Sequence, residues 1–332
     1  MIRRPAIRSL AIRPVAQLGS AWRRFWFEPQ ESSTLAVFRI AFGLLATAWT
    51  LSLIPTLSDF FGTDGVAPGS SEHLPGDWGL VPDPAGMPLL LLLFAVMLLG
   101  SVALTVGLFT RVAAIVVWLG LLSFEHANSL IGNSGDGLIR NLAFYLMFAP
   151  SGVALSLDRY RRTREDFWSF PAIAPWALRL IQIQLSVGYL SAVWHKVQSD
   201  LWRGGTAVSY AMRLQDIHRF PIPGFLTHSA MLVETLTFGT LLLELSLGIL
   251  VWNRAARPWV LTFGVTMHLA IDYSILIGFF SFAMFVTYLA FIPSETSTRL
   301  ILDTRDRVRA RLRRRARAAP VPDPPGTSPR TT

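Results

Sequence analysis

A single lysine stands among the 30 lysine and arginine residues of this 332-residue chain. It is Lys196, within VWHKVQSDLWRGG at positions 193–205. Arginine keeps its proton at any workable pH, whereas a desolvated lysine can release one and act as a base or nucleophile. Position 196 is therefore a place where a removable proton could matter. The bland reading stays open beside it: a lysine at a helix end can stretch its ammonium to the membrane surface and do nothing more.

Spacing sorts the neighbouring polar groups. Gln182, Ser186, Tyr189 and Lys196 are four, three and seven residues apart, which keeps them on one stripe of a helix. His195 points about 100° round that helix and need not share its surface. His268 and Asp272 are four apart, so the carboxylate could hold one tautomer of the imidazole. Asp136, in NSGDG, is either a proton-handling carboxylate or the cap of the next helix. His126, His228 and His268 can equally be packing residues. No metal site is expected: there is no cysteine and no His-x-x-x-His pair, and the one Asp-x-His, Asp216 with His218, stands alone.

The chain that must position these groups is 52% hydrophobic and 15% charged, with a mean hydropathy of +0.44, too apolar for a soluble domain of this size. Its net charge of +9 does not suggest nucleic acid, because the arginines flank apolar runs as topology signals do. Runs of membrane-crossing length lie near 34–54, 87–108, 111–131, 136–157, 175–196, 228–252, 257–275 and 276–293. The expectation is an all-α polytopic membrane bundle of about eight transmembrane helices with both termini cytoplasmic. Fusing the last two runs, which only DYSILIG separates, would give seven and strand the basic C-terminal segment outside.

Residues 1–30 form a basic, aromatic arm in which Trp22, Phe25, Trp26 and Phe27 surround Arg23 and Arg24, a mix suited to a helix at headgroup level. The arm lacks the apolar stretch of a cleaved secretory signal, although its composition also fits a transit peptide. Residues 296–332 read as a basic, then proline-rich cytoplasmic tail, disordered at its end. The 55–86 connection carries acids and no arginine, which places it outside. On this topology His73, His126, His195, His218, His228 and His268 all fall toward the outer face, joined by Glu125, Asn128, Asn133, Asp136, Glu234 and Asp272. Ionisable groups at membrane depth cost roughly 2.5–3.5 kcal/mol each on insertion scales, so they normally face a bundle interior or a watered cavity. In the inner half only Arg39, Arg179 and Glu244 stand out, and they are expected to form structural ion pairs.

Four segments together resemble a known family. FRIAFGLL (38–45), SLIGNSGDGLIRNLAFYLMFAPSGVALSLD (129–158), YLSAVWHKVQSDLWRGGTAVSYAM (189–212) and HLAIDYSILIGFFSFAMFVTYLAFIP (268–293) look like the horizontally transferred transmembrane (HTTM) domain. That family includes vitamin K-dependent gamma-glutamyl carboxylase, and the similarity covers about residues 30–295, so 31–295 is expected to be one transmembrane domain. In the carboxylase, a lysine at the end of a transmembrane helix deprotonates vitamin K hydroquinone, which leads to removal of a glutamate gamma proton. Lys196 matches that lysine in its local context. This chain departs from the pattern in lacking a large C-terminal lumenal region, in an interval from Lys196 to Trp202 that is one residue longer, and in carrying Ile131 where the carboxylase has a further active-site histidine.

Residues and resemblance together yield a candidate site. Lys196, His195, Asp136 and His268 would move protons; Glu125, His126, Asn133, Tyr189, Trp202 and Asp272 would hold a reduced, vitamin K-like quinone. The partners implied are the lipid bilayer, a lipid quinone and a secreted peptide or protein, with the bacterial cytoplasmic membrane as location. The competing class is a non-enzymatic membrane protein: a maturation or immunity factor for a secreted peptide, or a small-solute transporter. A transporter would need a polar path through both leaflets.

Overall fold

A computed structural model describes residues 12–66, 79–82, 85–128, 132–164 and 167–318. His73 and Ile131 lie outside the described residues. Each apolar run becomes one principal helix: α2 (Ser33–Ser52), α4 (Met87–Val106), α5 (Thr110–Ala127), α6 (Ser134–Phe148), α8 (Trp176–Lys196), α12 (Ala230–Ile249), α13 (Arg257–Ser274) and α14 (Phe280–Leu289). Short helices fill the connections: α3 (Leu57–Phe61), α7 (Leu157–Thr163), α9 (Asp200–Arg203), α10 (Ala207–Arg213) and α11 (Gly224–His228). The only strands among the described residues are Gln30–Glu31 and Ala172–Ile173, paired antiparallel.

Local sequence sets the breaks. Pro88 opens α4, and Gly107 closes it in the left-handed conformation at φ 74°, where a side chain would be strained. The α13 helix stops at Ser274, Ile275 is extended, and Gly278 turns the chain at φ 60° before α14 begins. The last two apolar runs are therefore separate helices.

The principal helices alternate in direction, so their ends gather at two poles. At one pole the Ser33 hydroxyl bonds Ser294, Arg39 bonds the 151–155 segment, Asp158 bonds the start of α5, Arg179 bonds Phe25, and Arg257 bonds Phe291. At the other pole Trp49 bonds Asp136, Asn128 bonds Phe60, and Gly135 abuts Phe280. One core joins α2, α4, α5, α6 and α14; a second joins α8, α12, α13 and α14. Among the described residues, four segments are long and apolar enough to cross a membrane: Ser33–Phe61, Met87–Val106, Thr110–Ala127 and Ala230–Trp252. Outward leucines on α4, such as Leu91, Leu92 and Leu99, supply surface that suits hydrocarbon and not water. The chain is an all-helical integral membrane protein.

Part of the arm and the basic segment are helical, while residues 1–11 and the proline-rich end, 319–332, lie outside the described residues. Residues Ile12–Phe27 form α1, packed against the start of α8, with Leu18, Trp22 and Phe27 exposed. The basic segment is α15 (Ser294–Ala318), a helix that starts against α2 through Thr34 and Ser297. Ile301 packs beside Ala36, Ala154 and Leu155, and arginine, a good helix former, allows the helix to extend from that anchored start.

Candidate functional site

Three contacts fix the register of α8 against α12. The Trp252 indole donates to the Ser186 hydroxyl at 2.8 Å, a side chain at Gly248 would collide with Leu190 at 3.0 Å, and the Lys196 ammonium donates to Glu244 Oε1. Antiparallel helices in this register leave the first part of α12 running beyond the end of α8. From Ala230 to Glu244 that is about 21 Å at 1.5 Å per residue. Glu244 thus lies at the depth of Lys196. The expectation that Glu244 forms an inner-half ion pair fails because it assumed that the two helices end at one level. Arg39 and Arg179 also differ from expectation. Fully buried Arg39 donates to the carbonyls of Ser151, Ala154 and Leu155, and Arg179 donates to Phe25 and Gln182.

The 197–227 connection covers the free part of α12. The Val208 amide donates to Thr237 Oγ1 at 3.3 Å, Ser209 bonds the Thr227 carbonyl at 2.9 Å, and Gly205 lies against Glu234 and Phe238. Between α10, α12 and α13 remains a cleft of about 690 Å³. Its walls include Ala207, Val208, Ala211 and Met212 from α10, Leu236, Gly239 and Leu243 from α12, and Phe263, Met267 and Ile271 from α13. Charge enters it only at Lys196 and Glu244. The Lys196 ammonium also sits 4.7 Å from the centre of the Trp202 ring. Glu244 is buried, and its Oε2 has no hydrogen-bond partner.

Behind this cleft is a second polar group. Tyr189, two turns before Lys196, shares its hydroxyl between His268 Nε2 at 2.9 Å and the Tyr288 hydroxyl. His268 is 1% exposed, ringed by Phe280, Phe285 and Tyr288, and its Nδ1 has no partner. The expected bond from Asp272 to His268 is not made: Asp272 pairs with Arg219 at 3.2 Å instead. His268 takes a phenol partner from α8, which faces it across the second core, while Asp272 turns to the 197–227 connection.

The remaining candidates gather elsewhere. Asn133 and Asp136 form a capping box at the start of α6, and Asp136 also accepts from the Trp49 indole at 2.7 Å. Glu125 pairs with Arg140 at 2.6 Å. These groups border a separate cavity of about 320 Å³ with Trp49, Phe124 and Phe279. Phe280 links the two regions, its backbone against Gly135 and its ring edge-on to His268. His126 is half-buried at the end of α5. His195 is exposed and bonds only its own helix at Ser191. His218 and His228 bond backbone carbonyls within the 197–227 connection and its end.

A family model described as the HTTM domain matches residues 27–295. The chain belongs to the HTTM family. No solved structure matches this HTTM protein. The matched span contains every residue of the Lys196 cleft and of the Tyr189, His268 and Tyr288 group, and it ends where α15 begins. Sequence reasoning missed that Glu244 meets Lys196 and that Tyr288 meets Tyr189. A signal existed for Glu244, since an acid within an apolar helix needs a cation and the chain offers one lysine. None existed for Tyr288, which reads as an ordinary aromatic in FVTYLAF.

Proposed function

We propose that this HTTM protein binds a quinone-type lipid in the cleft between α10, α12 and α13, and that Lys196, paired with Glu244, exchanges a proton with its polar ring. The observation that supports this reading is the placement of the chain's one lysine, with its carboxylate partner, at the single charged point of an otherwise apolar cleft. The cleft volume of about 690 Å³ falls among ligand sites, which run about 300–1,000 Å³. A bound hydroquinone would supply an acidic hydroxyl proton and reducing equivalents.

The chain's own groups divide the work. Apolar walls hold an isoprenoid or aromatic body and exclude water. Trp202 holds the ammonium from one side, and Glu244 accepts its proton, freeing the amine for a substrate hydroxyl. The unpartnered Glu244 Oε2 leaves a second acceptor on the same carboxylate. Tyr189 and His268 form a buried polar group beside the cleft, without lining it. Eight spans with cytoplasmic termini in a bacterial cytoplasmic membrane put the Lys196 pole outside, where a secreted peptide or protein could be the second substrate of a carboxylase-like or oxidoreductive reaction. Arg39 favours this over a transporter, because it is sealed by backbone carbonyls and does not line a path.

The test uses Gly239, which lines the cleft and whose added Cβ would meet nothing within 4 Å. Lipids extracted from the detergent-purified wild type are expected to contain a prenylquinone, and Gly239→Leu should lose it while remaining folded. Equal quinone in both proteins, or none in the wild type together with no stabilisation by added ubiquinone or menaquinone, would reject the reading.

A further inference from the structure

At the pole opposite the Lys196 cleft, a cavity of about 650 Å³ opens between the first turns of α8, α13 and α15. Arg179, Arg254 and Arg257 line it together with Gln182 and one acid, Glu295. Among the described residues none of the three guanidiniums forms an ion pair. Arg257 instead donates to the carbonyls of Val251 at 2.8 Å and Phe291 at 3.2 Å. Arg179 donates to the Phe25 carbonyl at 3.2 Å and to Gln182 Oε1 at 2.9 Å, and lies 4.9 Å over the Phe25 ring. These neutral partners orient the guanidiniums without neutralising them. Arg254 is exposed and makes no hydrogen bond.

Three guanidiniums and one carboxylate leave a net charge of +2, three minus one, around one cavity, which raises its energy unless a further anion shares it. Planar guanidiniums suit phosphate, to which each fork can donate two parallel hydrogen bonds. We infer that this cavity binds the phosphate of an anionic phospholipid from the leaflet at the basic pole. A lipid is favoured over free phosphate because Leu178, Leu261, Phe291 and Ile292 share the lining with the arginines, and basic pockets between membrane helices recognise acidic headgroups. The aromatic face of α1, with Trp22 and Trp26 beside Phe25, lies at the same pole.

The experiment measures thermal unfolding of the full chain in neutral detergent with added dioctanoyl phosphatidylglycerol, dioctanoyl phosphatidylcholine or sodium phosphate. Phosphatidylglycerol is expected to stabilise the protein saturably and phosphatidylcholine not at all. Arg254→Gln, which breaks no hydrogen bond and removes one of the like charges, should not destabilise the lipid-free protein but should weaken the response about tenfold, the scale of one lost charge-assisted bond. Arg179→Gln should weaken it further. Equal stabilisation by both lipids, or an undiminished response in both variants, would overturn the site. Sodium phosphate reproducing the whole effect at equal concentration would overturn the lipid as its occupant.

Discussion

Lys196 closes α8 and reaches Glu244 on α12, joining the last residue of one helix to the fifteenth of its neighbour. The pair is mostly buried, with 24% of the lysine side chain and 8% of the glutamate side chain exposed. Desolvation makes such a pair costly to form and costlier to break.

Removing one partner tests this directly. Lys196→Ala leaves a buried carboxylate without a cation and should lower stability by about 3–5 kcal/mol, whereas Lys196→Met with Glu244→Leu should recover most of that loss. Chemical denaturation in detergent is the readout. An alanine variant as stable as the wild type would mean that Glu244 does not depend on the lysine.

The Tyr189 hydroxyl serves two buried partners and the Tyr288 hydroxyl serves Tyr189 alone. Tyr189→Phe should therefore destabilise the protein more than Tyr288→Phe, by about 1 kcal/mol, one net hydrogen bond. The reverse order of melting temperatures would contradict the arrangement.

Asp158 offers a pH-dependent test outside the spans. Burial pulls its carboxyl upward, but hydrogen bonds from the Thr110 hydroxyl and from the Thr110 and Phe109 amides, with the Arg162 charge, outweigh it and hold the group below the usual 3.8. A depressed folded value contributes stability above the unfolded one and loses it as pH falls through the folded one. Asp158→Ala should cost about 1 kcal/mol at neutral pH, the scale of an exposed helix cap. The difference from the wild type should shrink as pH drops below about 4. A gap that stays constant to acid pH would assign the effect to packing.

Orientation can be read by labelling, since the chain has no cysteine of its own. Cysteines introduced at Ser70 and Ser328 are expected to react from opposite sides of the membrane, Ser70 from outside. Reaction of both from one side would end the eight-span topology.

Most helices were legible because a membrane solvent demands long apolar segments, and α2, α4, α5 and α12 carry that signal despite charges such as Arg39 and Glu244. The helices that build the site are less plain. In α8, Arg179, Gln182, Gln184, His195 and Lys196 interrupt the apolar run; in α13, Arg257, His268 and Asp272 do so. Helical spacing could place Tyr189 and Lys196 on one stripe of α8, where Tyr189 meets His268 and Lys196 meets Glu244. It could not set the offset between α8 and α12, which depends on Gly248 admitting Leu190, so the partner of Lys196 stayed hidden. Nor could it separate Asp136 and Glu125 from Lys196, because membership of one pole does not specify which cavity a residue borders.

The lysine's own role is decided by a substitution that preserves charge. If Lys196 serves only to neutralise Glu244, Lys196→Arg should be harmless, because arginine pairs with a carboxylate at least as well and keeps the cleft neutral. If Lys196 exchanges a proton with a bound molecule, arginine fixes a proton that must leave and puts a planar fork where a compact amine fitted. The expected result is that Lys196→Arg inserts, folds and melts like the wild type yet fails to complement a deletion strain, as does the stable Lys196→Met, Glu244→Leu double variant. Glu244→Asp, which keeps an acceptor one methylene farther away, should retain partial function. Full complementation by Lys196→Arg would show that charge alone is needed at position 196, and the cleft would then be a binding site without chemistry.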